Sequence, residues 1–484
     1  MRANKPIILH IPAAFIQGLN KYLEDNKPNF KYDIINFYYI VHFILEQQIK
    51  NRNRDENKLF IFINMEILKS ITVYNINEYV KILKNGEFII SDNQYLVGEK
   101  SIGYTINPIY FKGIEKFEIK TESKLFKKII KNERRKKAHN NRLEPFLKLM
   151  RDEFMKVELD YENAEKWILS QQDEVKKISY MIALSLLKDE RLRYFNRNKT
   201  NNRLDTNLTN LKSYLKQFII GDYVNIDLKN SQPFFLSMLL ETIINLNNNI
   251  KINNKISKCA LCNNLDYVNL VKTFGIKRIE AILKIHQINK KAFLVNLKNF
   301  TESVIRGEFY DDFIKSYYGD NISDYDKIRK EVKNTMFKVL FSQNENYKKF
   351  YKQIPFAKEK KLFEAVYPFV YESIKMLKTK GNSKNIIEQN NNKKGKHKLK
   401  DHAILAVFLQ KIESHIFIDC IAKEVVNSGI VPLTIHDSII VKAEYKEKTI
   451  EIINKIFMEN FNATPTLNIE PINKFKQIHN ENTF

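Results

Sequence analysis

The chain has 484 residues, 80 Lys and Arg against 56 Asp and Glu for a net charge of +24, and is 44% hydrophobic and 12% aromatic. That apolar content excludes a disordered basic tail, and 12 Gly with 11 Pro exclude collagen-like, linker-dominated or loop-rich β architectures. Three Cys exclude a disulfide framework and fit a reducing, cytoplasmic setting, while a charge this far from zero calls for an anionic partner, most simply nucleic acid.

The amino end, MRANKPIILHIPAAF, lacks an apolar core long enough for a signal peptide. The run from Ile34 to Leu45 is interrupted by Asn36 and His42 and falls short of the roughly 20 apolar residues that span a bilayer. A soluble chain with no membrane partner is expected. DIINFYYIVHFILEQQIK reads as an apolar helix, and residues 87–120 alternate around Gly98 and Gly103 as short antiparallel strands. The charge block from Lys128 to Arg142 is either a solvated helix face or a nucleic-acid contact. Residues 144–187 are amphipathic and helical, with the single Trp, Trp167, expected in the core.

After a polar stretch, Asn196–Thr209, YVNIDL reads as a strand ending near Asp227, and NSQPFFLSMLLETIINL as a helix with Pro233 in its first turn. Residues 265–380 read as almost wholly helical and 381–400 as a mobile basic loop. The helix DHAILAVFLQKIESHIFIDCIAKEVV then leads to a strand pair, VPLTIHDSIIVKAEY, joined at His436-Asp437-Ser438. These divisions predict five regions: 1–130, of unassigned role; 131–215, helical and connecting; 216–264; 265–400; and 401–484.

Asp227 and Asp437 stand out because each closes an apolar strand. A carboxylate among β-branched residues is costly to desolvate unless a cation or donor meets it. Two of them side by side repel, and one titrates upward, unless a divalent ion neutralises both. Oxygen-only ligands suit Mg²⁺, and paired ions about 3.5–4 Å apart would clamp the attacking and leaving oxygens of a phosphoryl displacement. The plainer alternative is that each aspartate caps a turn. Between them, Arg329, Lys333, Phe337 and Phe341 recur at steps of four, which on a helix stay near one face. Two cations suited to β- and γ-phosphates are followed by two aromatics suited to a base and a sugar. A helix with a solvated basic end and a buried aromatic end is the alternative.

Together these motifs resemble the polymerase core of family A DNA polymerases and the related single-subunit phage-type RNA polymerases, over about residues 200–484. Asp227 occupies the place of the metal-binding aspartate of motif A, with the carbonyl of Leu228 as a further ligand. Arg329, Lys333 and Phe337 match the motif B helix, with Phe341 in place of its tyrosine and Ser342 in place of the following glycine. His436 and Asp437 match motif C, whose next residue is here Ser438. Asn202-Arg203-Leu204 is similar to the element before motif A, making Arg203 a contact to primer or template. Gln410 resembles the glutamine that touches the minor groove near the primer end. The resemblance implies an α+β right-hand polymerase: an antiparallel palm (216–264 and 401–484), helical fingers (265–400), a reduced helical thumb within 131–215, and an additional N-terminal domain.

It further implies nucleotidyl transfer to a nucleic-acid 3′ end. Asp227 and Asp437 would hold two Mg²⁺ ions, with Mn²⁺ as a substitute. Lys333 would be the general acid, Arg329, Lys333, Phe337, Phe341 and Gln232 would bind the nucleoside triphosphate, and Arg203, Gln410 and His436 the primer–template. Gln232 replaces the glutamate that bars ribonucleotides in DNA polymerases; its bulk favours deoxynucleotides, though an amide can also hydrogen-bond a 2′-OH. The rivals are a phage-type RNA polymerase, a template-independent extender, and a non-catalytic nucleic-acid-binding protein on a polymerase fold. The size suggests a phage, plasmid, mobile-element or defence enzyme. There is no P-loop and no exonuclease carboxylate cluster before residue 200. Cys259 and Cys262 form a lone CxxC, better read as incidental thiols than as zinc ligands, and Cys420 is expected in the core.

Overall fold

The computed structural model describes residues 5–51, 60–63, 65–71, 75–95, 101–139, 143–250, 267–319, 323–348, 351–379 and 401–472. The basic loop expected at 381–400 and the Cys259/Cys262 pair lie outside them. The chain is a mixed, helix-rich α/β protein with small antiparallel sheets, divided into two units. No described helix is long and apolar enough to cross a membrane.

The first unit comprises residues 1–196 and 205–222 with the carboxyl-terminal residues. Its strand Ile7–Pro12 pairs antiparallel with Ile114–Ile119, and a three-stranded sheet orders Ile61–Phe62, Gly103–Ile106 and Ile89–Ser91. The helix Ile34–Asn51 is buried without a break from Asn36 to Leu45, as expected of a helix apolar on every side. Phe15, Leu19, Phe37, Ile40 and Ile44 pack with Ile178 and Ile182 of the helix Glu174–Lys188 to form its core. His10 is fixed inside this core: its amide donates to His42 Nδ1 (3.2 Å) and its Nε2 meets Ser185 Oγ (3.1 Å). Trp167 is half-buried rather than central, stacked between Tyr180 and Tyr214 at centroid distances of 6.0 and 5.9 Å.

The second unit comprises residues 197–204 and 223–471. Its four-stranded antiparallel sheet runs in the order Leu433–Ile435, Ser438–Lys442, Tyr223–Leu228, Leu467–Pro471. Along Tyr223–Leu228 burial alternates, with Val224, Ile226 and Leu228 inward and Tyr223, Asn225 and Asp227 on the opposite face. The helix Ser231–Ile250 follows, with Pro233 in its first turn, and packs Phe234 and Phe235 against Phe457 and Phe461 of the helix Lys446–Phe461. Residues 267–379 are mostly helical, wrapped around Phe300, Phe309, Phe313 and Phe363. Two departures from periodicity occur. Asn346–Lys348 and Tyr351–Gln353 form a hairpin where helix was expected, and the helix beginning at Asp401 becomes π-helical over His415–Ala422. A widened turn shifts side-chain phase by one residue, which no 3.6-residue periodicity foretells.

Candidate functional site

Asp227 and Asp437 come together in the second unit, the first on the strand Tyr223–Leu228 and the second in the turn that leads into its neighbour Ser438–Lys442. Asp227 sits opposite Ser438 in register, and the Leu228 amide donates to the Asp437 carbonyl (3.3 Å). Asp437 is the second residue of a two-residue hairpin turn whose first, His436, takes a left-handed φ of 55°. That conformation is uncommon for a residue with a side chain, and the surrounding sheet holds it: Ser438 Oγ donates back across the turn to the Ile435 carbonyl (3.0 Å). Both aspartates are half-buried. Burial pushes Asp227 up to about 6; Lys333 pulls the other way, and Glu413 and Glu470 add to the rise. Burial, then Glu413, then Asp227 push the Asp437 carboxyl well above the usual range, opposed by Arg203. For both aspartates burial is the largest cause of the rise, with neighbouring carboxylates adding to it.

Glu413 is the residue sequence reasoning missed. It is fully buried, paired with Arg203 through Oε1, while its Oε2 accepts from Ser231 Oγ (2.8 Å) and from the side-chain amide of Gln232. The amide NH₂ of Gln232 is thus turned toward Glu413, and its Oε1 is buried without a hydrogen-bond partner, as is Nε of Arg203. The only sequence signal was a carboxylate one helical turn beyond Gln410, on the same face. Gln410 itself accepts from Asn201 (3.0 Å), Ser414 donates to the Asn202 carbonyl, and Arg197 grips Asp419 with two bonds of 3.0 and 2.9 Å. Residues 197–204 are therefore fastened along the helix carrying Gln410 and Glu413, and Arg203 and Gln410 both carry intramolecular bonds. Cys420, expected in the core, is half-buried on the π-helical turn with its sulfur 3.6 Å from His415 Nε2.

The stripe of Arg329, Lys333, Phe337 and Phe341 lies on the helix Tyr325–Phe341, capped by Asp324 and anchored by Val332, Met336, Val339 and Leu340. Lys333 and Phe337 are exposed, and the Phe337 and Phe341 rings lie 5.7 Å apart. The aromatic end is thus not a buried end. Arg329 donates through Nε to Asp311 (2.7 Å) and lies over the Tyr310 ring. Tyr310, a second residue with no sequence signal, is buried and feels the charges of both Arg329 and Asp437. The helix end is held by two nearly fully buried lysines. Lys378 Nζ donates to the carbonyls of Val339 (2.8 Å) and Ser342 (2.9 Å), and Lys360 Nζ to that of Gln343 (2.6 Å).

Two oxygen-donor carboxylates, with the neighbouring Leu228 backbone, suit a hard divalent cation. Among the described residues no set of three His, Cys, Asp or Glu side chains forms a metal site. No family model and no curated protein matches the chain. Among solved structures it is similar to the POL domain of Pol1 from M. smegmatis, in complex with DNA primer-template and dNTP. The identity is 10% and the TM-score 0.34, over 64% of this chain and 55% of that one. The chain thus spans about half the length of that structure, and a likeness this slight bears on neither fold nor function.

Proposed function

We propose that the chain is a template-directed nucleotidyltransferase that extends a nucleic-acid 3′ end with nucleoside triphosphates. The observation that carries this is the meeting of Asp227, on its strand, with Asp437, in the turn before the adjacent strand, with Lys333 close enough for its charge to act on Asp227. In this reading the four-stranded sheet is the palm, the helices of 267–379 are the fingers, and 131–215 serve as a thumb-like region.

Asp227, Asp437 and the Leu228 carbonyl would hold two Mg²⁺ ions, or Mn²⁺ in their place. The fit rests on two adjacent carboxylates and the Leu228 backbone, an oxygen-only donor set in which burial disfavours the charged forms unless a cation meets them. When bound, the ions acidify the 3′-hydroxyl and offset charge on the pyrophosphate. The chain's own residues do the rest. Lys333, exposed on its helix, meets the phosphates and donates a proton to the leaving pyrophosphate. Arg329 offers its terminal amino groups, its Nε being already committed to Asp311. Phe337 and Phe341 present ring faces to the nascent base pair. His436 stands at the primer end, and Arg203 and Gln410 shape the wall that the primer–template contacts. Deoxynucleotides are the favoured substrate because Gln232 is bulky. Ribonucleotides are the second reading, favoured by the Gln232 Oε1 acceptor that the Glu413 bond leaves unpaired.

Primer extension with Mg²⁺, using dNTPs or NTPs, with and without template, tests the proposal. Asp437→Ala is expected to lower incorporation by more than about 100-fold, beyond the effect of losing a group that only orients a ligand, while leaving nucleic-acid affinity within a few-fold. Equal incorporation by the variant rejects the proposal. Template-independent addition, or extension with NTPs alone, selects a rival within the same chemistry.

A further inference from the structure

The helix Lys124–His139 in the first unit, KLFKKIIKNERRKKAH, carries eight Lys and Arg and a single acid, Glu133. Its core side is fixed: Leu125, Phe126 and Ile129 are buried. Lys124, Lys127, Lys131, Arg134 and Arg135 are exposed. At 3.6 residues per turn these five fall within roughly 100° of arc, and Lys124 to Arg135 spans roughly 16 Å along the axis. Glu133 projects from a different side. Glu122, in the turn before the helix, feels Lys127 but forms no ion pair with it among the described residues.

The contrast with the rest of the unit is what gives this face meaning. On the unit's other helices five lysines are matched one turn away: Lys69 with Glu66, Lys156 with Glu153, Lys166 with Glu162, Lys176 with Asp173 and Lys177 with Glu174. On the helix Lys124–His139, the four-residue spacing sets Lys127 beside Lys131 and Lys131 beside Arg135, an arrangement that repels. None of the five exposed cations has an ion-pair partner among the described residues. Like charges at this spacing repel on a helix whose other side is fixed in the core, and binding a polyanion would relieve that repulsion.

We propose that this face binds the phosphate backbone of a nucleic-acid duplex without reading its bases. A rigid, nearly straight row of cations suits a rigid polyanion that carries one charge per roughly 1.7 Å of axis. The described exposed residues of the face include no aromatic platform of the kind that binds single strands by stacking. A membrane-surface helix would turn its apolar side to lipid, whereas here that side is buried in protein.

The test uses the full chain, a labelled 30-base-pair duplex of arbitrary sequence and a salt series. Lys127→Gln/Lys131→Gln/Arg135→Gln is expected to make the slope of log affinity against log salt shallower by about 2.7, at about 0.9 per phosphate contact. Each single substitution is expected to lower it by about 0.9, so the measurement survives if the triple variant misfolds. A control triple, Lys69→Gln/Lys166→Gln/Lys176→Gln, removes the same net charge and is expected to leave the slope near that of the parent. An unchanged slope in the Lys127/Lys131/Arg135 variant, or an equal fall in the control, overturns the proposal. So does a variant that loses binding to single strands or to anionic phosphatidylserine vesicles while keeping the duplex. The readout is binding, so it stands or falls apart from any extension activity.

Discussion

Glu413 has no solvent exposure, and Arg203 is the cation that balances it. Removing one partner of a buried pair strands the other charge, so Arg203→Met is expected to cost about 3–5 kcal/mol of local stability. Hydrogen exchange across the helix Asp401–Ser414 measures this; a cost below about 1 kcal/mol shows that Ser231 and Gln232 suffice to hold the carboxylate. The contrast with Asp227 and Asp437 explains what could be read in advance. Those two sit inside β-branched runs, where an acid is conspicuous against its neighbours. Glu413 sits in LQKIESH, where it looks like any solvent-facing residue of an amphipathic helix. Its burial comes from residues 197–204 being fastened along that helix, a contact between segments two hundred residues apart. The same docking assigns Arg203 an internal partner that its motif alone did not suggest.

At the scale of elements, the helix Tyr325–Phe341 owes its placement to groups outside it. Its terminal carbonyls would be unsatisfied in a buried setting, and Lys378 and Lys360 meet them. Burial, then the charge of Lys360, lowers Lys378 to about 7, and burial lowers Lys360 to about 8. Both lie below the ordinary lysine value of 10.5. Between about 7 and 10.5 the unfolded chain therefore holds more protons than the folded one, and stability rises with pH over that window. The penalty is complete below about 7, where both states are charged. Thermal unfolding of the parent and of Lys378→Met from pH 7 to 9.5 is expected to show a rise in the parent that flattens in the variant. Parallel profiles would show that Lys378 does not titrate in this window. The helix itself was legible from its spacing. The lysine plugs were not, because Lys378, between Lys375 and Lys380, and Lys360, in AKEKKLF, look like any solvent-facing lysines. The pairing of Asn346–Lys348 with Tyr351–Gln353 was likewise hidden, since these short strands, NYK and YKQ, lack an apolar alternation long enough to read.

Across the whole molecule, a net charge of +24 does not decide the titration of the site. Asp227 and Asp437 are both raised despite the positive surplus, because burial, with Glu413 adding to it, outweighs the opposing charges of Lys333 and Arg203. The first unit responds to acid in the opposite sense. Burial, then the charge of His42, lowers His10 to about 3, so between about 6.5 and 3 the unfolded chain takes up a proton that the folded unit refuses, and that unit loses stability. For Asp227 the folded value of about 6 exceeds the ordinary 3.8, so its contribution falls as pH rises through that interval and is fully unfavourable above it. Comparing the parent with Asp437→Asn cancels the His10 effect and isolates the site. Without divalent ions at pH 7.5, Asp437→Asn is expected to have the higher Tm, because it removes one of two repelling carboxylates; the gap is expected to close as pH falls toward 4. Adding Mg²⁺ is expected to raise the parent's Tm and leave that of the variant nearly unchanged, since an ion that binds only the folded state stabilises in proportion to its affinity. A lower Tm for the metal-free variant, or an equal Mg²⁺ response in both proteins, would separate the two aspartates from any shared ion and remove the basis for phosphoryl transfer at this sheet.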